Sequence, residues 1–260
     1  GRQGIVAGYN AQAMVSPLDS AKAPGNGMLI TAADVVNKAS DSAQLVPMLE
    51  KSEGTTGVRV PIILADGGYH TAANLQAGER RGDVLVMPER YHPGVQGPYF
   101  KDKFVYDNAT DSYRCPEGQR LPFQGLRKNN GKIPGPYRIY RASRTVCRAC
   151  QAYGVCTKDV HAGRALWIGP TDTLLRKHRQ WMATEEAQTL YAQRKVLPEP
   201  VFGILKEQLG ARRFLLRGLA NVRAEFVLLA TAFNLRTLWR IWTSQRPPSQ
   251  RPAVTEVAAP

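Results

Sequence analysis

Val58-Arg59-Val60-Pro61-Ile62-Ile63-Leu64-Ala65-Asp66-Gly67-Gly68-Tyr69 decides the fold class. Residues 62–65 form an apolar run with the pattern of a strand buried on both faces. Asp66 stops it, and a carboxylate directly after a buried strand projects from the sheet's end, where α/β proteins place ligands and metals. Gly67 and Gly68 permit a sharp turn and close approach by a phosphate backbone. A turn-forming Asp that caps the next helix has the same pattern, and on spacing alone the two readings weigh equally.

Upstream, residues 5–15 alternate loosely as a strand. Residues 16–27, with Pro17, Pro24, Gly25 and Gly27, read as a turn, and 28–36 as a second strand. Asp41-Ser42 is expected to cap a helix running to about Lys51, with Pro47 kinking or delaying it. Downstream, a short helix from about Thr71 and a strand at 84–87 follow. Residues 88–170 are rich in Gly, Pro, Tyr and Arg, without a long helical period, and read as an irregular insertion. Helical spacing returns at 171–196, breaks at Pro198 and Pro200, and restarts there with Pro200 in the tolerated first turn. Residues 225–243 form a long apolar helix whose polar breaks at Asn234, Arg236 and Arg240 favour a core helix over a membrane one. The expected organisation is a core begun by 1–87, a basic cysteine-bearing insertion at 88–170, the helical remainder of the core at 171–243, and a disordered tail at 244–260. This is an α/β order, a mixed sheet flanked by helices.

The 260 residues carry 35 basic and 21 acidic side chains, a net charge of +14. Hydrophobic residues at 43% exclude wholesale disorder. No apolar run reaches the ~18 residues of a membrane span. The chain opens Gly1-Arg2-Gln3-Gly4, without a secretory leader, and is expected to begin partway through a longer, cytoplasmic protein. The charge sits in two blocks, +7 over 101–150 and +6 over 200–260, which favours a polyanion, nucleic acid, over a merely solvated surface.

Glu199 stands between two prolines at a helix start, where an acid faces the positive end of the helix dipole. Tyr191 and Arg194 precede it, and Lys206 shares its helix face. The group is either a surface ion-pair cluster or a metal ligand flanked by phosphate-binding cations. Cys115, the Cys147-Arg148-Ala149-Cys150 pair and Cys156 have the residue types of a structural Zn²⁺ site, with His161 a substitute ligand. Reduced thiols or disulfides fit the same spacing. Arg127, Lys128, Arg138, Arg141, Arg144 and Arg148, with Tyr137 and Tyr140 between them, suit a DNA-backbone contact surface. His70, His92 and His178 have no partner at metal or catalytic spacing, and Trp181, Trp239 and Trp242 read as packing.

The segment Ile62-Ile63-Leu64-Ala65-Asp66-Gly67-Gly68-Tyr69 resembles the second-aspartate motif of insertion-sequence DDE transposases. Tyr191, Arg194, Glu199-Pro200-Val201-Phe202-Gly203 and Lys206 resemble that group's Y-R-E-K signature, with four residues between Arg194 and Glu199 where the usual signature has three. Arg213-Phe214, Arg217-Gly218 and Ala232-Phe233-Asn234-Leu235 are similar to its C-terminal pattern. Gly8-Tyr9-Asn10-Ala11-Gln12 is similar to a segment preceding the second aspartate.

The resemblance implies a ribonuclease-H-like core with its first strand, and the first catalytic Asp on it, missing here. Asp19, Asp34 and Asp41 lack the expected Asp-Gly-Thr context. It also implies a transposable-element enzyme that cuts and joins DNA by two-metal phosphoryl transfer, with Mg²⁺ or Mn²⁺ roughly 3.5–4 Å apart. Asp66 and Glu199 would be two of three ligand groups. Arg194, Lys206, Arg213, Arg217, Arg141 and Arg144 would contact DNA, and Tyr191 would stack on it or hydrogen-bond to it. The implied partners are double-stranded transposon ends and target DNA, with self-association in the intact parent, no membrane, and a bacterial nucleoid-associated location. One acid short, the chain is expected to be inactive alone. A non-catalytic DNA-binding module organised by a four-cysteine zinc site is the alternative, and a ribonuclease-H-like nuclease that is not a transposase is another.

Overall fold

A computed structural model describes residues 8–18, 27–89, 97–128 and 136–247. The start of the first expected strand, most of the turn after it, His92 and most of the expected tail lie outside those residues. The chain divides into two compact units, one built from 1–88 and 184–260, the other from 89–183.

In the first unit, β1 (Asn10–Pro17) and β2 (Met28–Val36) form an antiparallel pair, from Asn10 opposite Val36 to Pro17 opposite Met28. β2 is dense in Ile, Val and Ala because both its faces are covered. On one, α1 (Leu45–Thr56) brings Leu45, Met48, Leu49 and Ser52, and the Ser52 hydroxyl donates to Thr31 at 2.8 Å. Ile30 and Val35 belong to a second cluster with Val201, Leu205, Val222, Phe226 and Phe233. Those come from α6 (Pro198–Glu207) and α7 (Leu219–Ser244). Asn234 on α7 accepts from the Ile30 amide at 2.8 Å and donates to its carbonyl at 2.9 Å. One side-chain amide thus stands where a neighbouring strand's peptide would.

β3 (Ile62–Leu64) and β4 (Val84–Val86) pair in parallel, joined through α2 (Ala72–Arg81). The Thr71 side chain caps α2 by accepting from the Asn74 amide. Gly78 lets that helix approach β4, since a Cβ there would lie 2.5 Å from the buried Leu85. Arg81 and Arg59 both reach the buried Asp83 carboxylate, at 2.7 and 2.6 Å.

Three expectations change. β3 is not buried on both faces, because Ile62 is exposed and borders an open cleft. α1 begins at Leu45 with Gln44, not Asp41, before it, and has no side-chain cap. α7 is half exposed rather than a core helix, showing Leu228, Leu235, Leu238, Trp239 and Trp242 to solvent. No helix among the described residues is long and apolar enough to cross a membrane.

The second unit is ordered where the sequence reads as irregular. It is a five-stranded antiparallel meander, β5 (Val105–Asp107), β6 (Ser112–Arg114), β7 (Arg120–Lys128), β8 (Pro136–Arg141) and β9 (Ala165–Ile168). β5, β6 and β9, of three or four residues, carry too few alternations to be read locally, and in the longer β7 and β8 polar side chains fill many positions. Phe104, Tyr113, Leu121, Tyr140 and Leu166 form its core. α3 (Arg144–Arg148) follows the sheet's fourth strand. α4 (Asp172–Met182) belongs to this unit, held by Arg179 on Asp102 and Glu89 and by Lys101 on Asp172.

Candidate functional site

Asp66 follows β3 and precedes the 3-10 turn Gly67–Tyr69, and its carboxylate accepts from the Gly68 amide at 3.0 Å. It therefore does what a turn-capping Asp does. Its other oxygen is free to face outward, and Arg194 donates to it at 2.9 Å. Arg194 comes from the 3-10 turn Gln193–Val196 that continues α5 (Glu185–Ala192). The same guanidinium stands 3.9 Å from Glu199, in the first turn of α6. Asp66 and Glu199 are 59% and 60% exposed, whereas Arg194 is 25% exposed, so the acids present themselves to solvent over a half-buried cation.

A second layer lies behind Asp66. Asp41 accepts from Asn10 at 2.5 Å and from Gln12 at 2.8 Å. Gln12 in turn accepts from the Tyr69 hydroxyl. A Cβ at Gly68 would lie 3.4 Å from the Asp41 carboxylate, so Asp41 and Asp66 flank the same turn. Burial, then the negative charges of Asp41 and Asp66, push the Tyr69 hydroxyl up to about 12, with Arg194 acting against them. Gln12 and Tyr69 are polar residues to which the sequence assigned no site role of their own. Asp41 had the local pattern of a helix cap, and only its bonds to β1 show what it holds.

This cluster closes one end of a cleft. Among the described strands β1 pairs with β2 alone and β3 with β4 alone, so each has an unpaired edge. All of β1, all of β3 and parts of α1 and α6 line one cavity of about 490 Å³, whose apolar lining includes Val15, Met48, Leu49, Ile63, Leu197 and Phe202. The Gln12–Tyr69 bond puts the start of β1 beside the end of β3. Asp66, Arg194 and Asp41 line the same cavity.

The other expected residues are dispersed. Tyr191 is half-buried on α5, Lys206 is exposed near the end of α6, and Arg213 and Arg217 are exposed between α6 and α7. Arg141 and Arg144 belong to the other unit. The four cysteines line one small cavity of about 20 Å³ as free thiols. Cys115 and Cys147 accept from the amides of Gln119 and Arg164, at 3.2 and 3.4 Å, and burial pushes the Cys156 thiol up. No group of three or more His, Cys, Asp or Glu that could hold a metal ion occurs among the described residues. The four-cysteine zinc site expected from spacing is therefore not supported, although all four thiols line one cavity. The two acids likewise have Arg194 between them where a metal would need further oxygen ligands.

No curated protein and no solved structure matches the chain. Residues 114–239, which run from the insertion through Arg194, Glu199 and most of α7, match the family described as "Transposase DDE domain". The match over residues 114–239 supports a DDE transposase catalytic domain.

Proposed function

We propose that this chain is the C-terminal part of a ribonuclease-H-like transposase core that acts on DNA by phosphoryl transfer, with Asp66 and Glu199 as two of its three acids. The observation that carries this reading is their convergence. Acids from a strand end and from a helix start, 133 positions apart in the sequence, meet on one guanidinium at the mouth of a cleft. The unpaired edges of β1 and β3 support a further strand between them, carrying the third acid to the end where Asp66 stands. As they stand, the acids do not fit a pair of Mg²⁺ or Mn²⁺ ions, because Arg194 pairs with both and no third ligand joins them among the described residues. By itself the chain is then inactive.

What these residues do is hold geometry. Gly68 and Arg194 fix the Asp66 carboxylate, and the Asp41–Gln12–Tyr69 layer holds the turn beneath it. Lys206, Arg213 and Arg217 add positive charge suited to phosphates. The exposed apolar face of α7 supports self-association with a second copy.

In the transposase that contains this chain, Asp66→Asn and Glu199→Gln are each expected to lower strand cleavage by more than about a hundredfold, the scale of losing a group that acts on the transition state. DNA binding should be retained. Cleavage undiminished in either variant sinks the assignment.

A further inference from the structure

The meander of the second unit has two faces, and its core occupies one. Phe123, Tyr140, Leu166 and Ile168 point into that core. Register puts the alternate residues on the other face. Gly125, Ile139 and Trp167 form one row, Arg127 lies opposite Tyr137, and Arg141 lies opposite Ala165. Side-chain contacts agree with this assignment. Tyr137 and Trp167 are 6.2 Å apart between ring centroids, and the Arg127 guanidinium lies 5.3 Å over the Trp167 ring.

This face has the makings of a stacking platform. Trp167 is 42% exposed on it. Gly125, with φ +145°, adopts a backbone conformation that disfavours side chains, and a Cβ there would meet nothing within 4 Å. Beyond Ile139, which stands next to Trp167, the row is thus low and open at Gly125, with room for a flat ring. Arg127, over the Trp167 ring, has no carboxylate partner among the described residues. Asp172, which approaches Tyr137 across Gly169, is already engaged by Lys101.

We infer that this outer face binds single-stranded DNA, with bases stacking on Trp167 and Tyr137 and phosphates meeting Arg127 and Arg141. The inference rests on DNA being the substrate. The strand must be single because a duplex hides base faces inside its stack, and a flat sheet face offers no helix to enter a major groove. Stacking is indifferent to base identity, so binding should show little sequence preference.

The test measures binding of the full chain to a fluorescently labelled single-stranded oligonucleotide and to its duplex, by anisotropy. Trp167→Ala should weaken single-strand binding about tenfold, while Trp167→Phe, which keeps a stacking ring, should stay within about threefold. Duplex affinity should be unchanged in both. Arg127→Ala, outside the core and safe for folding, should weaken single-strand binding and lower the dependence on log salt by about one. Single-strand binding unaffected by all three variants, with duplex binding intact, overturns the inference and leaves the DNA reading standing. Failure to bind either form overturns both.

Discussion

Asp66 and Arg194, 128 positions apart in the sequence, are joined by a 2.9 Å bond, and Glu199 lies 3.9 Å from the same guanidinium. Two acids that would repel one another are held at one place by a cation. Because both are more than half exposed, the pairs contribute only about 0–1 kcal/mol to stability. On the proposed reading their consequence is chemical, since a metal held by Asp66 and Glu199 would compete with this cation.

Arg194→Ala is therefore expected to leave the melting temperature nearly unchanged and to strengthen Mn²⁺ binding. Removing about 1 kcal/mol of like-charge repulsion corresponds to roughly fivefold in affinity. Isothermal titration of the variant, with Asp66→Asn in the same background as a control, reads this directly. A Mn²⁺ affinity that stays the same or falls would show that Arg194 does not compete with metal.

Tyr69 makes the site sensitive to alkaline pH. Its hydroxyl is pushed from an ordinary value of 10 up to about 12, chiefly by burial and then by Asp41 and Asp66. The folded state holds the proton that the unfolded state releases. The contribution is fully present below pH 10 and is lost as pH rises towards 12. Urea midpoints across that window should fall more steeply for the parent than for Tyr69→Phe, which has no proton to lose. Parallel profiles for the two proteins would refute the role of this hydroxyl.

Asn234 acts on stability alone. Replacing it with Leu keeps the branched outline but leaves the Ile30 amide and carbonyl without their partner, at a cost of about 2–3 kcal/mol. Thermal unfolding should register the loss, and a midpoint within a degree of the parent's would count against it. The residue stands in the Ala232-Phe233-Asn234-Leu235 segment, and its place on the backbone of β2 gives that segment's polar position a structural reason.

How much was legible depends on range. β2 ends where its apolar run ends, and α6 starts at the proline pair, because periodicity and proline chemistry act within a few residues. Asp41 misled because its local pattern, an acid just ahead of a helix, is satisfied instead by Asn10 and Gln12 about thirty positions away. The meander of β5 to β9 was illegible for a related reason: each strand is stabilised by its neighbours rather than by its own pattern.

By itself the sequence determined that an acid ends a strand at Asp66, that another begins a helix at Glu199, and that the positive charge sits in two blocks. Each follows from neighbours along the chain. Only the tertiary structure decided that Arg194 stands between those acids, that β1 and β3 leave edges open on one cleft among the described strands, and that Trp167 faces outward in one row with an open glycine. Such facts depend on which distant segments meet, and that is set by burial and backbone pairing across the whole unit, beyond the reach of local spacing.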